Sequence, residues 1–236
     1  MEPVLFYGVP SGCSFGSIVA LEWLGKPYRL SRIEMIKDDF MSGDYRFINP
    51  VGETPALITG SGAVLTESMS ILNHLGSGGI GTNLSFVQGT PEFDKLNRML
   101  AYLNTTFFAS FGPLWHVYEH GSEAAAKAAL TKYGRFKVLK AHTDLNAALG
   151  DKQWLLGDHK TLADAYFIGI ARWADYHDVV DRHDYPNLVR LYQQLENDPA
   201  VRFARAIEDE KPAESAGGYL GDIGVSDALK LVRQDA

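Results

Sequence analysis

Val4-Leu-Phe-Tyr-Gly-Val-Pro-Ser-Gly-Cys-Ser14 begins as a short apolar run and passes through a Gly/Pro/Ser turn into an amphipathic stretch. Val4–Tyr7 reads as a buried strand. Ser14–Leu24 reads as a helix with Ile18, Leu21 and Leu24 on one face and Gly25 as its C-terminal stop. Cys13 therefore falls at a strand-to-helix junction, where unpaired backbone N–H groups and the positive end of the helix dipole favour an anion. A thiol placed there can serve as a thiolate. A free cysteine is equally among the most buried residue types, and position alone leaves both readings open.

Outward from this stretch, Tyr28–Met35 is a second extended run, and Ala56–Ile58 and Val64–Thr66 flank the turn signal Thr59-Gly-Ser-Gly62. Ser68 stands as the N-cap of a helix carrying Ile71, Leu72 and Leu75. The order β-α-β followed by β-β-α is a small α/β sandwich. Residues 76–90 are rich in glycine and poor in charge, the signature of a linker. Beyond them strand signals stop. Pro91 opens a helix with Phe93, Leu96, Leu100, Leu103 and Phe107 at helical spacing. Glu123–Leu149 is alanine-rich, with Tyr133, Phe136 and Leu139 as its expected apolar side. Leu162–Tyr176, Asn187–Glu196 and Pro199–Ile207 complete the helices, and an extended tail is expected from Lys211. The predicted domains are 1–78 (α/β), a linker 79–90, an all-α domain 91–210 and a tail 211–236.

Composition narrows the function classes. The net charge is −7, so no basic surplus exists to meet nucleic-acid phosphates or an anionic membrane. A single cysteine excludes an intramolecular disulfide framework and fits a reducing compartment. No basic-then-apolar leader and no apolar run of bilayer length stand in the sequence, so a soluble cytoplasmic protein is expected.

Three segments carry chemistry. Cys13-Ser-Phe-Gly16 lacks a second cysteine three residues on, so any sulfur chemistry uses one protein thiol and a thiol brought by a substrate. Ser11, Ser14 and Tyr7 supply hydroxyls around it, each of which also has an ordinary role in a turn, a cap or a core. In Ile48-Asn-Pro-Val-Gly-Glu-Thr-Pro-Ala-Leu57, Pro55 at a strand start is a candidate cis proline, which would leave the Thr54 backbone open to pair with a peptide-like ligand. Glu67-Ser68 sets a carboxylate and a hydroxyl at a helix start. Such a pair can hold the ammonium and carboxylate of an amino-acid end, or simply cap the helix.

These segments together resemble the glutathione transferase superfamily, in its bacterial, beta-like, cysteine-type form. Leu5-Phe-Tyr, Ser11-Gly-Cys-Ser, Leu24-Gly-Lys-Pro-Tyr, Ile48 to Leu57 and Val64-Leu-Thr-Glu-Ser-Met-Ser-Ile-Leu72 look like its thioredoxin-like domain. Thr161-Leu-Ala-Asp-Ala-Tyr-Phe-Ile168 looks like the buried capping segment of its helical domain, a capping box with Asp for Glu. The resemblance implies a thioredoxin-like α/β N-terminal domain followed by an all-α C-terminal domain. It further implies glutathione as co-substrate without a metal, and a homodimer.

Residue by residue, Thr54 would pair its backbone with the cysteinyl part of glutathione beside the cis Pro55, Glu67 and Ser68 would hold its γ-glutamyl end and Lys37 its glycyl carboxylate, with Glu53 also among the glutathione-binding residues. The glutathione sulfur would face Cys13, Ser11, Ser14 or Tyr7. Beta-like members often carry a histidine and a lysine on the first helix of the helical domain, where this chain has Phe108 and Ala109. The electrophile pocket would instead be Val9, Pro10, Phe108, Phe111, Trp115 and Tyr118, apolar and aromatic, with His116 more often structural in such company. The implied activity is conjugation of glutathione to hydrophobic electrophiles, with disulfide exchange through Cys13. A non-catalytic binding protein on the same fold is the alternative. A zeta-like isomerase would use Ser11, but needs an arginine where Phe15 and Gly16 stand.

Overall fold

The structure, a computed structural model, describes residues 1–35, 43–121 and 123–232. It divides into two compact units, Met1–Ser85 together with Glu196–Ala236, and Phe86–Leu195.

In the first unit, β1 (Val4–Val9) runs parallel to β2 (Tyr28–Glu34) and antiparallel to β3 (Ala56–Ile58), which pairs antiparallel with β4 (Val64–Thr66). Alternation along β1 sends Val4 and Phe6 to one face. There they pack with Tyr45 and Ile48 of α2 (Gly43–Ile48), beside Ile33, Ala56 and Ile58. Leu5 and Tyr7 take the opposite face. Helix α1 (Phe15–Leu24) packs against α3 (Ser68–Gly76) and α10 (Pro199–Glu208). It is buried from Phe15 to Glu22, so its apolar character runs all round rather than along one stripe. Gly25 ends it in the left-handed region (φ 63°), its N–H bonded to Glu22 O.

The division differs from the sequence reading at its C-terminal end. Helix α10, expected in the helical domain, belongs to the first unit: Val201, Phe203 and Ala204 are buried, and Asp198 accepts from Trp23 Nε1 of α1 at 2.9 Å. The expected extended tail instead forms β5 (Tyr219–Asp222), parallel to β2, and α11 (Val225–Leu229), whose Ala228 joins the Val4/Phe6 face. The sheet order is β4-β3-β1-β2-β5. β2, otherwise an edge with unpaired backbone groups, is covered.

The second unit holds α4 (Pro91–Tyr102), capped by Thr90 and continued by a π-helical segment over Leu103–Phe108, then α5 (Gly112–His120) and α6 (Ala124–Leu149). α7 (Leu162–Ala171), α8 (Trp173–His177) and α9 (Pro186–Glu196) follow. The single helix expected over Leu162–Tyr176 is thus two, separated at Arg172. On α6 the buried side is Gly134, Val138, Ala141, His142, Leu145 and Leu149, whereas Tyr133 and Phe136 are exposed. Alanine fits either face of a helix, so the periodicity of this segment fixes its face poorly.

Every residue of α7 is buried, and the Thr161/Asp164 capping box is formed. Asp164 Oδ2 accepts from Thr161 N at 2.8 Å and Thr161 Oγ1 at 3.1 Å, and Oδ1 accepts from Leu155 N at 2.9 Å.

Candidate active site

Two glycines let the turn after β1 close. A Cβ on Gly8 would lie 2.3 Å from Thr54 Oγ1, and one on Gly12 would lie 2.3 Å from Gly8 O. Glycine at position 8 leaves room for the Thr54 side chain against β1, and glycine at position 12 lets the turn fold back onto Gly8 O. Val9–Pro10 and Thr54–Pro55 are both cis. The second is the one expected from sequence; the first, and the two glycines that frame the turn between β1 and α1, carried no signal there.

The three chemical segments converge on the thiol. Cys13 Sγ donates to Thr54 O at 3.1 Å and accepts from Ser68 Oγ at 3.7 Å. The sulfur thus faces a carbonyl acceptor on one side and a hydroxyl donor on the other. Cys13 is half-buried, Thr54 and Ser68 are buried, and Glu53 and Glu67 are exposed. Ser68 does not cap α3 as expected. It is the first residue of that helix, its hydroxyl is turned to the sulfur, and Glu67 holds the cap position at φ 69° with no side-chain capping bond.

The other sequence candidates separate. Ser14 is fully buried and its Oγ accepts from Gly8 N at 3.1 Å, which ties the turn to β1 and occupies the hydroxyl with backbone. Ser11 is half-buried, at φ 55° in the same turn as Cys13. Tyr7 faces a different neighbourhood, a cleft of about 330 Å³ lined by Arg32, Ile207, Lys211, Tyr219 and Asp222. Burial, with the charge of Asp222 adding to it against the Arg32 hydrogen bond, pushes its phenol above the ordinary value. Val9 is buried and Pro10 is exposed. Lys37 lies outside the described residues.

Two residues that the sequence did not single out hold the Thr54 turn. Tyr45 Oη and Asn49 Nδ2 both donate to Glu53 O at 2.7 Å. Burial foremost, and charge at Cys13 and Glu53, raise the Tyr45 phenol well above its ordinary range, so it stays a donor.

In the second unit, Trp115 stacks on Tyr176 (5.1 Å between ring centroids) and meets His177 at 4.5 Å, Trp173 at 5.2 Å and Tyr118 at 5.8 Å. Phe108 adds to this cluster through Trp173 at 5.2 Å. Phe111, expected to line a pocket, is wholly buried: it packs on Phe107 and His142 and also backs the cluster from within, meeting Trp173 at 5.6 Å and His177 at 6.1 Å. His116 is exposed and stacks on His120. Trp173, Tyr176 and His177 join the cluster from α8, whose approach to α5 no local spacing could disclose. Trp115 Nε1 and His177 Nε2 are buried with no hydrogen-bond partner among the described residues. Burial holds the His177 imidazole below its ordinary value, hence neutral.

Known proteins resemble this chain over most of its length. Residues 10–77 match the family description "Glutathione S-transferase, N-terminal domain", and residues 94–199 match "Glutathione S-transferase, C-terminal domain". Glutathione S-transferase GST-4.5 of Xanthomonas campestris pv. campestris is 30% identical over 209 residues, covering 86% of this chain and 97% of its own. The chain belongs to the glutathione S-transferase family. Glutathione S-transferase GstA of Escherichia coli O157:H7 is 28% identical over 209 residues, 88% of this chain and 99% of its own. Among solved structures, the bacterial beta class glutathione S-transferase of Sphingomonas chungbukensis superposes with a TM-score of 0.77 at 27% identity, covering 87% of this chain and 98% of that one. The expected architecture, thioredoxin-like then all-helical, is the one observed. Among the described residues no group of side chains could hold a metal ion, and no helix is long and apolar enough to cross a membrane.

Proposed function

We propose that this glutathione S-transferase conjugates the glutathione thiolate to hydrophobic electrophiles, and that Cys13 also supports glutathione-dependent disulfide exchange. The convergence of Cys13, Thr54 and Ser68 within hydrogen-bonding distance carries this reading. Glutathione is the co-substrate. Its cysteinyl backbone pairs with Thr54 beside Pro55 and Glu53, its γ-glutamyl ammonium meets the exposed Glu67, and its carboxylate meets Ser68 and the free N–H groups at the start of α3. Lys37 is proposed for the glycyl carboxylate. The sulfur lies toward Cys13 and Ser11.

In conjugation, the glutathione thiolate forms a C–S bond while the electrophile's leaving group departs, or while a proton is taken up where the electrophile is an activated alkene. The Phe108, Trp115 and Tyr118 cluster, enlarged by Trp173 and Tyr176, is the kind of surface that takes such apolar ligands. Exchange uses Cys13 itself. Its thiolate attacks the glutathionyl sulfur of a mixed disulfide, the S–S bond breaks and the substrate thiolate leaves. A glutathione thiolate then attacks the Cys13–glutathione disulfide, which regenerates Cys13 and releases oxidised glutathione.

Paired assays on Cys13→Ala test this reading. Disulfide reduction falls at least about 100-fold while conjugation to a chlorodinitrobenzene stays within about threefold. Loss of both together would assign Cys13 to the conjugating step. Absence of glutathione binding by calorimetry in the unaltered protein would favour a non-catalytic binding protein. A homodimer is the proposed assembly and the cytoplasm the proposed location. Phe47, 79% exposed on α2, and Val51 are apolar groups an interface would cover. Phe47→Ser should shift the elution volume toward the monomer.

A further inference from the structure

The segment from Ser215 to Val232 lies beyond the matched family domains, which end at residue 199, yet it is built into the first unit at both of its ends. At its entry, the buried carboxylate of Glu22 on α1 accepts from Ser215 Oγ at 2.7 Å, Ala216 N at 3.1 Å and Gly217 N at 3.0 Å. Gly217 has no room for a side chain: a Cβ there would lie 2.3 Å from Glu22 Cα. Strand β5 then pairs with β2, with Tyr28 N donating to Gly218 O at 3.2 Å and Ile223 N to Leu30 O at 2.8 Å. At its far end, α11 lies on α2, with Ala228 fully buried, Val225 and Leu229 packed on the same cluster, and Ser226 Oγ donating to Asp44 Oδ2 at 2.5 Å.

The cluster under α11 contains Tyr45, fully buried, its ring 5.6 Å from that of Phe6. The hydroxyl of the same side chain holds Glu53 O, the carbonyl that precedes Thr54 and the cis Pro55. We propose that the C-terminal strap Ser215–Val232 is a positioning element for the glutathione site, fixing α2 and Tyr45 and through them the Glu53-Thr54-Pro55 turn. The proposal rests on the glutathione-binding reading given above. Its physical content is a coupling: docking of the strap and binding of glutathione favour each other, and the effect must be reciprocal.

Hydrogen exchange on the unaltered full chain reads the coupling directly. Saturating glutathione should slow exchange at Tyr219–Asp222 and Val225–Leu229 as well as at Thr54. A second arm uses Gly217→Val, which blocks seating against Glu22, and Tyr45→Phe, which removes only the hydroxyl. Each should raise the Kd and KM for glutathione about fivefold or more, and Gly217→Val should leave kcat near its original value. The double variant should show less than the product of the two effects, because both act through one path. Glutathione binding with no change of exchange in the strap overturns the coupling even if Gly217→Val fails to fold. A folded Gly217→Val protein with unchanged Kd, its melting temperature alone lowered, overturns it too. An unaltered protein that binds no glutathione overturns the functional reading itself, and the coupling with it.

Discussion

Two helices of this molecule begin in opposite ways. At α7 the residues that can cap do cap: Thr161 and Asp164 satisfy each other's backbone donors, Asp164 takes Leu155 N as well, and the whole start is buried. At α3 the equivalent groups are withheld. Glu67 sits at the cap position at positive φ (69°) with its side chain exposed, and Ser68 turns its hydroxyl to the Cys13 sulfur. A helix start closed by its own side chains has fewer donors left to offer. One whose own side chains look elsewhere keeps its N–H groups and dipole for an anion. Residue types alone, Thr-x-x-Asp against Glu-Ser, do not reveal which condition holds.

The largest expected effect breaks the closed start. Asp164→Ala leaves two backbone N–H groups and a hydroxyl buried without their acceptor, at about 1–3 kcal/mol each. Denaturant unfolding should show a loss of about 3 kcal/mol or more, and a cost under about 1 kcal/mol would mean that this start is not closed as described.

A pH experiment sharpens the same point. Burial pushes the Asp164 carboxyl up to about 6 despite its hydrogen bonds, and burial pushes the His142 imidazole down to about 4. Between those values the folded chain holds a proton on Asp164 that the unfolded chain has lost, so this residue makes stability fall as pH rises. His142 has the opposite sign. The unfolded chain protonates it below its ordinary pKa and the folded chain does not, so stability rises with pH over that window. The two nearly offset. Asp164→Asn removes the first, so its unfolding free energy should climb between about pH 4 and 6 by roughly 3 kcal/mol relative to the unaltered protein. Parallel profiles for the two proteins would refute the assignment.

Glu67→Gln probes the open start and should do the reverse of Asp164→Ala. Glutathione KM rises about tenfold, while stability changes by under about 0.5 kcal/mol because the side chain is exposed. A comparable effect, on stability alone, is expected at Ser14→Ala, which deprives the Gly8 amide of its acceptor. A loss of about 1–2 kcal/mol with unchanged glutathione KM would separate this hydroxyl from that of Ser68.

Much of the first unit was legible because its signals are local. The hairpin around Thr59-Gly-Ser-Gly62, the stop at Gly25 and the cis bond at Pro55 follow from turn chemistry, and β3 and β4 fall where expected. Phe111 was legible as apolar but not as core, since helical spacing says which side chains share a face and not what that face meets. Tyr45 and Asn49 were invisible, because their role is to hold the carbonyl of Glu53 across a turn. The strap reads from sequence only as an extended tail, because Gly, Ala, Ser and Asp predominate from Lys211 onward. Those small residues are what allow it to lie against Glu22.

By itself, the sequence determined the two-part architecture, the presence of a single thiol and the three segments that meet at it, since each depends on residue type and short-range spacing. Tertiary structure alone decided which hydroxyl serves the sulfur. Ser14 and Ser68 are the same residue type beside a helix start, and only the packing of β1 against the Thr54 turn directs one to backbone and the other to Cys13. It likewise decided that the last residues close the sheet. Pairing with β2 is a long-range contact, and its partner stands nearly 200 residues earlier in the chain.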